Sequence, residues 1–429
     1  MSSNTEVGDA VAAELTAVLA RLGELAEGPV DDPTVTAAVR VDRIAVLEQL
    51  RAGVAAAQHT EMVAFARARV DEQGELVAAG RLDPEKLGRG IADEIALAAH
   101  VSPSQGSRRL GVARTLAADL PETRALLASG RIRERLAETI VAQTTHLDPE
   151  QRRLVDKQLA EAGLDAMGFA RAEATVKKVA YETDRAGYTR RGRKAREDRR
   201  VTLRPAPDTM AVLSALLPVE QGVACLAALR RHADSAVAAG DGRSRDQVMA
   251  DTVVERLTGQ ARATDVDVEV GIVLPLDALL DPDSPATGDL VGHCPLPAGV
   301  VADLLRDTQG KRWWRQLFAH PTHGTLVGGD PQRRLFDGFL AQLIDLRDGG
   351  RCRDPWCDAP IRHHDHINRA RAGGPTSFTN GRGVCARGNY VRETPGWDVR
   401  VVADGLGDAP HTVRTTTPTG HTYTSRAGP

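Results

Sequence analysis

The chain has 429 residues, of which 42% are hydrophobic and 26% charged, and its formal net charge is -3. This length allows two or three domains with real cores, while the charge excludes a uniformly basic coat, so any nucleic-acid contact must come from a local patch. Aromatics make up only 3% and the apolar residues are mostly Ala, Val and Leu, which favours packed helices over an all-β sandwich.

From about Ala10 to Tyr181 the chain reads as helix after helix. Ser102-Pro103 with Gln105 combines an N-cap, a proline at the first helical position and a capping-box partner. Asp148-Pro149 with Gln151 repeats the device, and Gly130 and Gly163 stand where helices should stop. A helix-turn-helix over Ser102 to Leu127 is conceivable, but helical hairpins are far more often plain scaffold. The stretch between Gly187 and Arg204 is rich in arginine. It reads either as a phosphate-contacting strip, with Arg190, Arg191, Arg193 and Lys194 as its candidates, or as a solvated connector diluted by Glu197 and Asp198.

Val201 to Leu203 and Val266 to Val270 alternate as strands do, whereas Ala211 to Ala239 and Ser244 to Leu257 look helical. Asp281 to Pro285 reads as a loop. Cys225, within the second apolar run, is expected to be a buried small hydrophobe. A helix from Phe336 to Arg347 leads into the C-terminal segment. There all four Trp lie between Trp313 and Trp397, as suits a small module with little core volume. Short strands are expected at Asp398 to Val402, Thr412 to Thr416 and His421 to Ser425. The whole reads as an α+β, mainly α, fold: a helical domain (1–186), a mixed α/β continuation (187–345), a small chemical module (346–398) and a β-hairpin tail (399–429).

No apolar stretch is long enough to cross a bilayer. The first residues lack the basic-then-apolar order of a signal peptide, so a cytoplasmic location is expected. Three of the five Cys (Cys352, Cys357 and Cys385) cluster in one short segment. In a reducing compartment, clustered thiols point to metal rather than to disulfides.

Residues 352 to 397 carry the chemistry. Hydrolysis of a phosphodiester needs a base for water, positive charge near phosphate and stabilisation of the leaving oxygen. Adjacent strand residues face opposite ways, so His366 can act as the base while Asp365 turns to a cation. Asn389 adds a second hard oxygen, a set that suits Mg²⁺ or Mn²⁺. Asn380 cannot titrate and is expected to hydrogen-bond across the loop and hold His366. Gly373-Gly374 gives the reversal after the His366 strand. Arg392 is the first candidate to neutralise phosphate, with Arg369 and Arg371 behind it.

In this order the segment resembles the HNH endonuclease motif of the ββα-metal fold: Asp365-His366, then Asn380, then Cys385-Ala-Arg-Gly388-Asn389 and Arg392. The whole chain resembles the 13E12 repeat family, which joins a helical domain of unknown function (number 222) to a C-terminal HNH module. The residues that carry this are 218–234, 333–352 and 415–425. The resemblance implies an endonuclease acting on double-stranded DNA, with Asp365 and Asn389 on the catalytic metal, His366 activating water and Asn380 orienting it. It also implies a structural zinc on Cys352, Cys357 and Cys385. Here the family's fourth cysteine is replaced by Gly388 and its lysine by Arg392. Three thiolates leave a zinc position for water, Asp358 or His363. The rival readings are a nucleic-acid-binding protein whose nuclease has decayed, and a protein-interaction scaffold in residues 1 to 345.

Overall fold

In a computed structural model, residues 3–427 are described apart from 33, 209, 260–271, 274–282, 284, 286, 291–293, 308–335 and 337. The strand expected at Val266 to Val270, most of the loop at 281–285 and the first two Trp lie outside the described residues.

Among the described residues, nine α-helices build the first part: α1 Ser3–Glu27, α2 Ala37–Ala78, α3 Ile91–Ala98, α4 Pro103–Asp119, α5 Pro121–Ala128, α6 Glu134–Gln143, α7 Pro149–Glu161, α8 Phe169–Thr183 and α9 Arg185–Ala195. The expected caps are present. Ser102 accepts the Gln105 N–H, and Asp148 and Gln151 form a reciprocal capping box. Gly163 follows α7 with φ +68°. The main core gathers Leu116, Leu120, Leu127, Leu136, Ile140, Val155, Leu159 and Val176. A second core joins Met62, Val63 and Ala66 of α2 to Ile91, Ile95 and Leu110.

One cap was invisible to sequence reasoning. Leu120 cannot cap α5, so Asp156 of α7 reaches across and accepts from the Glu122 and Thr123 N–H groups at 2.7 and 3.0 Å. Burial raises the Asp156 carboxyl above its ordinary range, opposed by these hydrogen bonds.

Two expectations fail in the middle region. Residues 211–216 form strand β2 (Ala211–Leu216), paired antiparallel with β1 (Arg200–Pro205). Their Ala/Leu composition suggests a helix, but pairing with β1 overrides that weak propensity, and helix α10 (Val219–Ala238) begins only after Pro218. Cys225 is exposed, because α10 packs chiefly on α11 (Arg245–Thr258) and, among the described residues, only Ala233 of α10 is fully buried. The arginine-rich stretch begins as a helix: α9 runs to Ala195, with the Asp184 side chain accepting the Gly187 N–H at 2.8 Å. Beyond lie a small sheet of β3 (Ile272–Val273), β4 (Thr287–Leu290) and β5 (Cys294–Pro297), then α12 (Ala298–Asp307) and α13 (Gly338–Arg347).

The C-terminal region is a β-hairpin, β6 (His363–His366) with β7 (Gly381–Val384), followed by the short helix α14 (Ala386–Val391). The tail is not a lone hairpin. β8 (Asp398–Ala403) joins β9 (Thr412–Thr416) and β10 (Thr422–Arg426) in a three-stranded antiparallel sheet, since Val399 and Val413 must cover Ile367. Trp356 stacks on His100 with centroids 4.2 Å apart. Arg387 of α14 grips Asp93 of α3 with two bonds of 2.6 and 2.8 Å and donates to Ser107 at 2.7 Å. The last region is therefore docked on the helical one.

Candidate functional site

Pairing of β6 with β7 sets Asp365 opposite Arg382 and His366 opposite Gly381. Arg382 has no solvent exposure. Its Nε and Nη2 lie 3.3 and 3.2 Å from Asp365 Oδ2, and its Nη1 donates to Asp354 Oδ1 at 2.7 Å. The glycines on either side make room for this strand. A Cβ at Gly381 would meet Ile344 and Phe336, and one at Gly383 would collide with Ile361.

Arg392 also turns inward. It is buried and donates to Asp365 Oδ2 and to the carbonyls of His366 and Ile367. Its guanidinium is thereby engaged by protein and does not face outward to a phosphate. Arg369 is engaged too, by Glu393 at 2.5 Å and the Arg392 carbonyl at 2.6 Å, and Arg371 lies 3.9 Å from Glu393.

His366 points to the other face. Its Nε2 shares a 2.8 Å hydrogen bond with Thr376 Oγ1, and Phe336 lies 4.5 Å from its ring. Burial holds the imidazole below its ordinary pKa; Asp365 opposes this and Arg392 adds to it. A neutral ring is the form that can accept a proton. Among the described residues the Asn380 side chain makes no hydrogen bond to His366. Its Oδ1 accepts the Asn368 N–H at 2.7 Å, and its Nδ2 donates to the Asn368 and Pro375 carbonyls at 3.0 and 2.7 Å. It thus clamps the loop whose next residue, Thr376, holds the ring. Gly373 adopts φ +83° inside that loop.

Asn389 lies half-buried on α14, which packs on β6. Among the described residues neither its side-chain amide nor Asp365 Oδ1 makes a hydrogen bond. Among the described residues these two oxygens have no hydrogen-bond partner, while two guanidiniums crowd the other Asp365 oxygen. His364 instead pairs with Asp345 at 2.8 Å, and the His363 ring lies 6.1 Å from Tyr390.

Cys352, Cys357 and Cys385 are brought together. All three are buried and their sulfurs lie within 4.8 Å of one another. Cys357 and Cys385 are 3.8 Å apart, and zinc–sulfur bonds of about 2.3 Å in a tetrahedron set sulfurs about 3.8 Å apart. The donor set fits a thiophilic metal. Cys385 is held far below the ordinary thiol range by hydrogen bonding with Cys352 and Cys357, then by the N–H groups of Gly388 and Arg387. Neither Asp358, which is exposed, nor His363 belongs to this group.

The basic candidates on α9 divide. Arg191 donates to the Gln143 carbonyl at 3.1 Å; Arg190, though exposed, lies 3.9 Å from Asp184, and Arg193 and Lys194 are exposed.

Arg382, Thr376 and Asp354 were missed by sequence reasoning. The one available signal was the Gly-Arg-Gly run at 381–383, which marks a strand with no room on one face.

No curated protein and no solved structure matches the chain. A family model described as a domain of unknown function (DUF222) matches residues 45–348. It ends just before Cys352, so it bears out the helical-domain part of the resemblance and says nothing of an HNH module or the repeat-family name. With more than half of its length matched, the chain belongs to the DUF222 family.

Proposed function

We propose that the C-terminal region is an HNH-type endonuclease hydrolysing phosphodiesters of double-stranded DNA. One observation carries this reading. Adjacent β6 residues present a neutral, clamped imidazole on one face and a carboxylate on the other, with Asn389 on the helix packed beside them.

His366 takes the proton of the attacking water while Thr376 fixes the ring and Asn380 fixes the loop behind it. Asp365 Oδ1 and the Asn389 amide oxygen would hold Mg²⁺ or Mn²⁺, which when bound acts as a Lewis acid toward the leaving oxygen. Zinc on the three thiols is structural in this reading. Arg193 and Lys194, exposed on α9, are suited to DNA phosphates. Among the described residues no helix is long and apolar enough to cross a membrane, and free thiols suit a reducing compartment such as the cytoplasm.

The test is plasmid cleavage by the full chain with Mg²⁺ or Mn²⁺. His366→Ala should lower it by about 10²–10⁴-fold, and undiminished cleavage in that variant rejects the assignment. A second reading, a DNA-binding protein with a decayed nuclease, is favoured by the two guanidiniums on Asp365 Oδ2, which oppose a cation there. Salt-sensitive DNA binding without cleavage under any divalent metal would select it.

A further inference from the structure

Gly388 stands where the fourth thiol of the HNH pattern would be, yet the space is filled. A Cβ built at Gly388 would lie 3.6 Å from Cys385 Sγ and collide with Asp354 Oδ2. Asp354 comes from the turn between Cys352 and Cys357, closed by the Cys357 N–H on the Asp354 carbonyl at 3.0 Å. Its Oδ1 is anchored by Arg382. Its Oδ2 has no hydrogen bond among the described residues. An oxygen with no hydrogen bond among the described residues therefore lies on the Cys385 side of the cluster, in the space vacated by the missing side chain, though outside the close grouping of the three sulfurs.

We propose that Asp354 is the fourth ligand of the metal held by Cys352, Cys357 and Cys385, giving a three-sulfur, one-oxygen site. This rests on the thiols binding metal and is independent of catalysis. A carboxylate is an ordinary zinc donor at about 2.0–2.2 Å, and the Asp354 carboxylate, which lies outside the close grouping of the three sulfurs, would turn toward them when the metal binds. The charge is consistent. Three thiolates and a carboxylate around Zn²⁺ leave two net negative charges, and buried Arg382 offsets one of them. Glycine at 388 is then a condition of the arrangement, since any side chain would evict the carboxylate. Arg382 would also link the two sites by holding Asp354 and Asp365 at once.

The test compares wild type, Asp354→Ala, Asp354→Cys and the double variant Asp354→Ala/Gly388→Cys as full chains. Zinc per chain, zinc affinity against a chelator and the absorption spectrum with Co²⁺ are measured. Wild type should hold one zinc with a three-thiolate cobalt spectrum. Asp354→Ala should lose more than ~100-fold in affinity, beyond the ~10–100-fold of an outer-sphere change. Asp354→Cys and the double variant should give four-thiolate spectra, the latter recovering affinity. Should Asp354→Ala not fold, zinc-edge absorption of wild type still counts its ligands, and three sulfurs with one imidazole nitrogen overturn the proposal. So does an Asp354→Ala form that binds zinc as wild type does. A wild type that binds neither zinc nor cobalt overturns the metal reading itself.

Discussion

Arg382 faces Asp365 across the β6–β7 ladder and, with no exposure to water, bonds one oxygen of that carboxylate through two nitrogens. Its third nitrogen holds Asp354. Replacing it by methionine keeps much of the volume but strips Asp354 of its buried cation and leaves Asp365 with Arg392 alone. Breaking such an arrangement from one side costs about 3–5 kcal/mol. Arg382→Met should lower the denaturant midpoint accordingly, and a loss under about 1 kcal/mol would deny the bridge its structural role.

The environment of His366 sets a pH profile. Burial lowers its pKa below the ordinary 6.5, and Asp365 does not reverse this. A base works when unprotonated, so kcat/KM for DNA cleavage should rise with pH with its half-maximal point below pH 6.5. Cleavage should persist under mildly acidic conditions. Thr376→Ala should weaken cleavage by removing the ring's partner while leaving the metal donors in place. His366→Ala should cost about 10²–10⁴-fold. A wild-type profile that rises only above pH 8 would implicate another base.

What the sequence disclosed follows from the range of each interaction. Ser102 and Asp148 announce helix starts because a cap bonds to its own next turn. Cys352, Cys357, Asp365, His366, Asn380, Asn389 and Arg392 were legible as a pattern in fixed order. The misses are long-range. Asp156 caps a helix more than thirty residues away. Arg382 gains its role from strand register, and Asp354 from the absence of a side chain at Gly388. Residues 211–216 are a strand because β1 lies beside them, and no local preference reports that.

Arg387 and Asp93 test whether the helical region and the C-terminal region are one cooperative unit. The pair is bidentate, with Asp93 largely buried and Arg387 about one-third exposed. Desolvation raises the Asp93 carboxyl, and the hydrogen bond and charge of Arg387 oppose that rise. Two-pronged geometry strengthens the interaction, but exposure of the arginine screens it, so a coupling of about 1–2 kcal/mol is expected. A double-mutant cycle with Asp93→Asn and Arg387→Gln in urea measures it. Additive effects, with two separate unfolding transitions in wild type, would show that the two regions do not stabilise each other through this contact.

His411 should make the C-terminal region acid-labile. It is fully buried, its Nε2 donates to the Thr379 carbonyl at 2.9 Å, and its Nδ1 has no partner. Burial is the main cause that lowers its pKa from 6.5 to about 4, with Arg347 and Arg353 adding to it and the Thr379 carbonyl opposing. A base depressed in the folded state stays neutral there while the unfolded chain takes up a proton. Its contribution is therefore complete above pH 6.5, falls as the pH drops through that value and is exhausted near pH 4. The gap corresponds to about 3 kcal/mol. Other groups titrate in the same window, so the measurable quantity is a difference. Unfolding free energies of wild type and His411→Asn, followed from pH 7.5 to 4, should converge by roughly that amount as the pH falls. Parallel curves would mean that the ring is protonated inside the folded protein and that the Nδ1 side is open to a partner.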